Sequence, residues 1–131
     1  MAIYKTRWFE RWARKEGLSA SSLCAAVREM TAGLYEADLG GGLLKKRIAR
    51  PGQGKSGGFR TLVATNRSTR WFFLFGFAKG ERENVRAREL EALKAYAADL
   101  LERVLEHLAA DVDPEDRGQR HPVGRVRVAL A

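Results

Sequence analysis

The sequence predicts one small α+β domain, a mostly antiparallel sheet flanked by helices. Three observations carry this. The chain has 131 residues, enough to bury one hydrophobic core but not two. Its apolar spacing is helical before residue 40, strand-like between 43 and 78, and helical again from about 84. Turn chemistry, in Gly40-Gly41-Gly42, Gly52 to Gly58 and Asn66-Arg67-Ser68, separates the strand-like runs. The predicted order is β-α-α-β-β-β-α, with the early helices and the last one packed on the sheet in two layers.

Ala2–Arg7 reads as a short first strand. Phe9, Trp12 and Ala13 fall at i, i+3 and i+4, which predicts a turn or two of helix stopped by Gly17. Ser19 or Ser21 offers an N-cap for a second helix, whose apolar positions are Leu23, Ala26, Val27, Met30 and Leu34. After the glycine run, Leu43–Ala49, Phe59–Thr65 and Arg70–Ala78 read as three strands. In the last of these, Trp71-Phe72-Phe73-Leu74-Phe75 is apolar on both faces, the pattern of a central strand covered on both sides, or of one face buried by helices and the other by a partner. From 85 to 110 a helix is predicted, with Leu90, Leu93, Ala97, Leu100, Leu101, Val104, Leu105 and Leu108 as its core stripe. It would be near 40 Å long at roughly 1.5 Å per residue. Asp113-Pro114 ends the pattern. The domain is therefore placed at 1–110, with 111–131 a flexible tail.

Hydrophobic residues make up 45% of the chain and charged residues 31%, as in soluble globular proteins. No apolar run approaches the roughly 20 residues needed to cross a bilayer. Met1 to Arg14 is charged and aromatic, unlike a secretory signal. The single cysteine, Cys24, lies among small and apolar residues and reads as a packed thiol in a reducing compartment, so a cytoplasmic location is expected. The formal net charge of +8 is unevenly spread. Residues 39–80 hold Lys45, Lys46, Arg47, Arg50, Lys55, Arg60, Arg67, Arg70 and Lys79 and no Asp or Glu. Solvated surfaces mix both signs, so this segment suggests a face that meets a polyanion.

Ala49-Arg-Pro-Gly-Gln-Gly-Lys-Ser56 fits a relaxed phosphate-binding loop with Ala at the first position. That loop works only where a helix begins directly after Lys-Ser and offers its amides to phosphate. Here Gly57-Gly58 and the strand-like Phe59-Arg60-Thr61-Leu62-Val63 follow, and no carboxylate between 39 and 80 would help hold magnesium. Nucleotide hydrolysis is excluded as a reading, and no cofactor or metal is expected.

Lys46-Arg-Ile-Ala-Arg-Pro-Gly-Gln-Gly-Lys-Ser-Gly-Gly-Phe-Arg-Thr61 resembles the central block of a RelE-like toxin family: a basic strand, a Gly-Lys-Ser-Gly-Gly loop and an aromatic-Arg-Thr strand. Phe72-Phe-Leu-Phe-Gly-Phe-Ala-Lys-Gly-Glu-Arg-Glu-Asn84 resembles the same family's aromatic strand and its Gly-Phe-Ala-Lys-x-Glu-Arg ending, and Glu89-Leu90 with Leu93 fits its last helix. The resemblance covers about residues 1–105. It implies the RelE/ParE toxin fold and the toxin of a type II toxin–antitoxin system. The expected function is ribosome-dependent endonucleolytic cleavage of mRNA that inhibits translation. The expected partners are mRNA, the ribosome and a cognate antitoxin, often a helix-turn-helix protein, with no membrane involved. A gyrase-poisoning ParE-like toxin and a non-catalytic RNA- or DNA-binding module are the alternatives.

Metal-free RNA cleavage needs a base for the 2′-hydroxyl proton, cations for the charged phosphorane and an acid for the leaving oxygen. His107 and His121 lie far from the basic strands, which leaves lysines and arginines. A lysine acts as base where neighbouring cations disfavour its charged form, and Lys46, Arg47, Lys55 and Arg60 supply that crowding. The candidate catalytic residues are Arg60 on the scissile phosphate, Lys55 or Lys46 as base, and Lys79 as acid or second charge stabiliser. Arg47 and Arg50 are candidates to grip neighbouring phosphates, and Phe77 to stack on a base, although core burial is its commoner fate.

Overall fold

A computed structural model of the chain describes residues 2–50, 52, 57–80, 85–107 and 126–129. The elements run β1 (Ala2–Thr6), α1 (Arg7–Glu16), α2 (Ala20–Thr31), β2 (Ala37–Gly40), β3 (Leu43–Ile48), β4 (Phe59–Thr65), β5 (Arg70–Ala78), α3 (Ala87–His107) and β6 (Val126–Ala129). Among the described residues one six-stranded sheet has the order β2-β3-β4-β5-β1-β6. β1 runs parallel to β5, and every other neighbouring pair is antiparallel. The predicted α+β class, its mostly antiparallel sheet and its element order are present, with two strands added.

Local chemistry sets the helix ends. The Thr6 hydroxyl accepts from the Phe9 N–H at 3.0 Å, so the first strand ends one residue earlier than predicted and caps α1. Gly17 closes that helix with φ +80°, a conformation costly for residues with a side chain. Ser19, not Ser21, caps α2 through the Ser22 N–H. At α3 the Glu89 carboxylate accepts from the Arg86 N–H at 2.9 Å, half of a capping box and a favourable charge for the helix dipole.

The sequence predicts two layers; the structure has three. Ile3, Leu44, Ile48, Phe59, Val63, Trp71 and Phe73 pack under α1 and α2 on one face. Tyr4, Leu43, Leu62, Ala64, Phe72 and Leu74 pack under α3 on the other, against Leu93, Tyr96, Ala97 and Leu100. Period-two alternation sends neighbouring apolar residues to opposite faces, so strands apolar on both faces require helices on both. The double apolarity of β5 is thus accounted for. A bulge opposite Leu62 and Val63 inserts Leu74 and shifts the parity of β5 beyond it, so Phe75 pairs with Leu62 and Phe77 with Arg60.

β2 is absent from the sequence prediction because Ala37-Asp38-Leu39-Gly40 carries residues that strands disfavour. Gly40, Gly41 and Gly42 all have positive φ and form its tight turn into β3. β6 falls within the predicted flexible tail. Its residues pair with β1 from Ile3↔Ala129 to Thr6↔Val126, while 111–125, 130 and 131 lie outside the described residues. Among the described residues no helix is long and apolar enough to cross a membrane.

Candidate functional site

The register of β3 against β4 decides which basic residues meet. Lys45 pairs with Leu62, Lys46 with Thr61 and Arg47 with Arg60. Directly paired residues of an antiparallel ladder share a face. Leu62 belongs to the α3 side, so Lys45, Arg47 and Arg60 lie there together. Lys46 lies on the other.

On the α3 side the three cations surround one carboxylate. Glu36, just before β2, is held in register by its N–H, which donates to the Lys45 carbonyl at 2.8 Å. Arg47 brings Nε and Nη2 to Glu36 Oε2 at 3.1 and 3.0 Å. Arg60 Nε lies 3.3 Å and Lys45 Nζ 3.8 Å from Oε1. The Arg60 side chain is 5% exposed, Glu36 22% and Arg47 45%, so the group opens to solvent on the Arg47 side. Among the described residues, three positive charges and one negative leave a net positive group with two planar guanidinium forks, the geometry suited to phosphate oxygens.

The segment carrying Glu36 is clamped on both sides of it. From the β4–β5 turn, Arg67 donates to the Tyr35 hydroxyl at 3.0 Å and forms an ion pair with Asp38. Arg67 has φ +65°, and the Asn66 side chain accepts from the N–H groups of Ser68, Thr69 and Arg70 to hold that turn. The Asp38 carboxyl is held below its ordinary value, first by the Gly40 N–H it accepts at 2.9 Å and further by Arg67.

The remaining sequence candidates divide. Lys46 is buried against α2, with Nζ 2.6 Å from Glu29 Oε1 and donating to the Leu34 carbonyl at 2.9 Å. That removes it from the group around Arg60. Arg50 stacks its guanidinium over the Phe59 ring at 4.8 Å, also on the α1 and α2 side. Phe77 is on the Arg60 face but only 2% exposed, so as it stands it offers no ring face to a base. Lys79 is exposed one residue past β5, and alternation puts it on the same side as Phe77. Lys55 lies outside the described residues.

Sequence reasoning missed Lys45 and Glu36. The alternation of Lys45 with Arg47 was a usable signal for the first. The second was hidden because charge was tallied along the chain. In space, Lys45, Lys46, Arg47, Arg60 and Arg67 all form ion pairs with Glu29, Glu36 or Asp38, which precede the basic segment. The 39–80 stretch is therefore less positive as a surface than as a sequence.

Among curated proteins nothing matches the chain. A family model described as the RelE toxin of the RelE/RelB toxin–antitoxin system matches residues 1–115.

Proposed function

The chain belongs to the RelE toxin family of toxin–antitoxin systems, and on that premise we propose that it is a ribosome-dependent endoribonuclease that cuts mRNA without a metal ion and so arrests translation. The observation that carries the reading is the convergence of Lys45, Arg47 and Arg60 from adjacent strands on one partly open face. Such a group neutralises a phosphodiester and the extra charge of its phosphorane without having to reorganise.

In this reading Arg60 binds the scissile phosphate and Arg47, the more exposed fork, engages a neighbouring one. The 2′-hydroxyl attacks the adjacent phosphorus and surrenders its proton to the amine of Lys55, while the Lys45 ammonium helps hold the phosphate. Lys79, beyond β5, protonates the departing 5′ oxygen. Lys46 has no part in the chemistry. The expected products are a 2′,3′-cyclic phosphate and a 5′-hydroxyl end. A cognate antitoxin and the ribosomal A site are the partners, in the cytoplasm.

The test is inducible expression in bacteria with mapping of mRNA 5′ ends, for the natural chain and for Arg60→Ala. New ends inside translated frames that vanish in the variant support the reading. Growth arrest with DNA damage and no new ends contradicts it and points to gyrase.

A further inference from the structure

We propose that Glu36 sets the affinity of this site by holding the place of the substrate phosphate, which must displace it to bind. The inference rests on the reading of this face as a phosphate site. The Glu36 carboxylate offers two anionic oxygens to two guanidinium groups and one ammonium within 3.0 to 3.8 Å, the arrangement those cations would make with two oxygens of a phosphate.

Arg60 is central to the argument because its side chain is 5% exposed. An anion reaches so covered a guanidinium only by displacing what lies against it, and among the described residues Glu36 is an anion that lies against it. A phosphate bound beside an undisplaced carboxylate would instead suffer like-charge repulsion at close range. The geometry permits the exchange. Arg67 anchors Tyr35 and Asp38 on either side, so the backbone at 36 stays fixed while the side chain, 22% exposed at the rim of β2, turns outward. Before substrate arrives, the same carboxylate keeps the cations gathered.

Glu36 is a positioning and affinity-determining residue in this account. A purely structural carboxylate makes the opposite forecast, since its loss would scatter the cations and weaken anion binding. The measurement is binding of a 2′-deoxy trinucleotide, which cannot be cut, to the purified full chain and to Glu36→Gln and Glu10→Gln. Glu10→Gln makes the same change in net charge on α1, across the sheet from the site, at an i,i+4 pair with Arg14. Glu36→Gln is expected to tighten binding about tenfold, the scale of one like-charge contact removed from an interface. Glu10→Gln is expected to change it less than about twofold, because the sheet separates that charge from the site and solvent screens charges over such separations.

Glu36→Asp, which keeps the charge on a shorter arm, gives a second variant if the glutamine chain folds poorly; it is expected to tighten binding by a smaller factor. Equal or weaker binding by both Glu36 variants relative to Glu10→Gln overturns the inference. Cleavage on translating ribosomes, followed in parallel, separates the two claims. Cuts by the natural chain with no tightening in the variants sink the place-holder role alone. Tightening with no cuts by any chain sinks the nuclease alone.

Discussion

Lys46→Met takes an ammonium out of the α2 side of the sheet and leaves a chain of similar volume. Lys46 is 5% exposed, and the substitution removes its 2.6 Å ion pair with Glu29 and its hydrogen bond to the Leu34 carbonyl. Breaking a fully buried pair from one side costs about 3–5 kcal/mol, and an exposed pair contributes about 1 or less. Glu29 is a third exposed, so water recovers part of what its carboxylate loses. The loss should be intermediate, about 2 kcal/mol, which at ~4 °C per kcal/mol lowers Tm by about 8 °C. The assay is urea and thermal unfolding followed by tryptophan fluorescence, with cleavage measured per folded molecule. Stability should fall while cleavage is unchanged, and adding Glu29→Leu should recover much of the loss because no charge is then stranded. Abolished cleavage at undiminished stability would refute the assignment of Lys46 to the structural face.

Gly76→Ala should destabilise by about 1–3 kcal/mol, since a Cβ there would stand 2.4 Å from Trp12 Cζ3; thermal unfolding reads it, and Trp12→Leu in the same chain should restore part. Arg60→Lys should lose most cleavage while folding normally, because an ammonium lacks the planar fork that grips two phosphate oxygens; a chain as active as the natural one would remove that fork from the mechanism. Asp38 titrates below its ordinary 3.8 in the folded chain, so its stabilising contribution is present above about pH 3.8 and lost as pH falls through the lowered value. Natural and Asp38→Asn chains should therefore differ in stability above that range and converge in acid, as unfolding measured across pH 2–6 would show.

The sequence made the elements legible where periodicity was strong: both early helices, the three basic and aromatic strands, and the helix that follows them. β2 was hidden by its composition, and β6, although Val126-Arg127-Val128 alternates, by its shortness and by the polar stretch that precedes it. The failure over Lys46 has a sharper cause. In Leu43-Leu44-Lys45-Lys46-Arg47-Ile48 both faces carry leucine and lysine, so hydrophobic alternation cannot say which lysine faces which way. The register with β4 settles it, and a register is a property of two strands. Phe77 went the way of most strand aromatics, into the core, and the bulge at Leu74 is what brings it opposite Arg60. Glu36 was unreadable because it sits outside every predicted element and acquires meaning only when β2 folds back along β3.

The central claim is that the α3 face around Arg60 cuts mRNA on the ribosome. Its most direct test is single-turnover cleavage of a defined mRNA on purified ribosomes by the natural chain and Arg60→Ala. The account predicts a cut in the A-site codon, leaving a 5′-hydroxyl end, that slows about 10²–10³-fold in the variant, the scale of losing one preorganised charge stabiliser. Cleavage unchanged by the substitution, or no cleavage by the natural chain on programmed ribosomes, would contradict it.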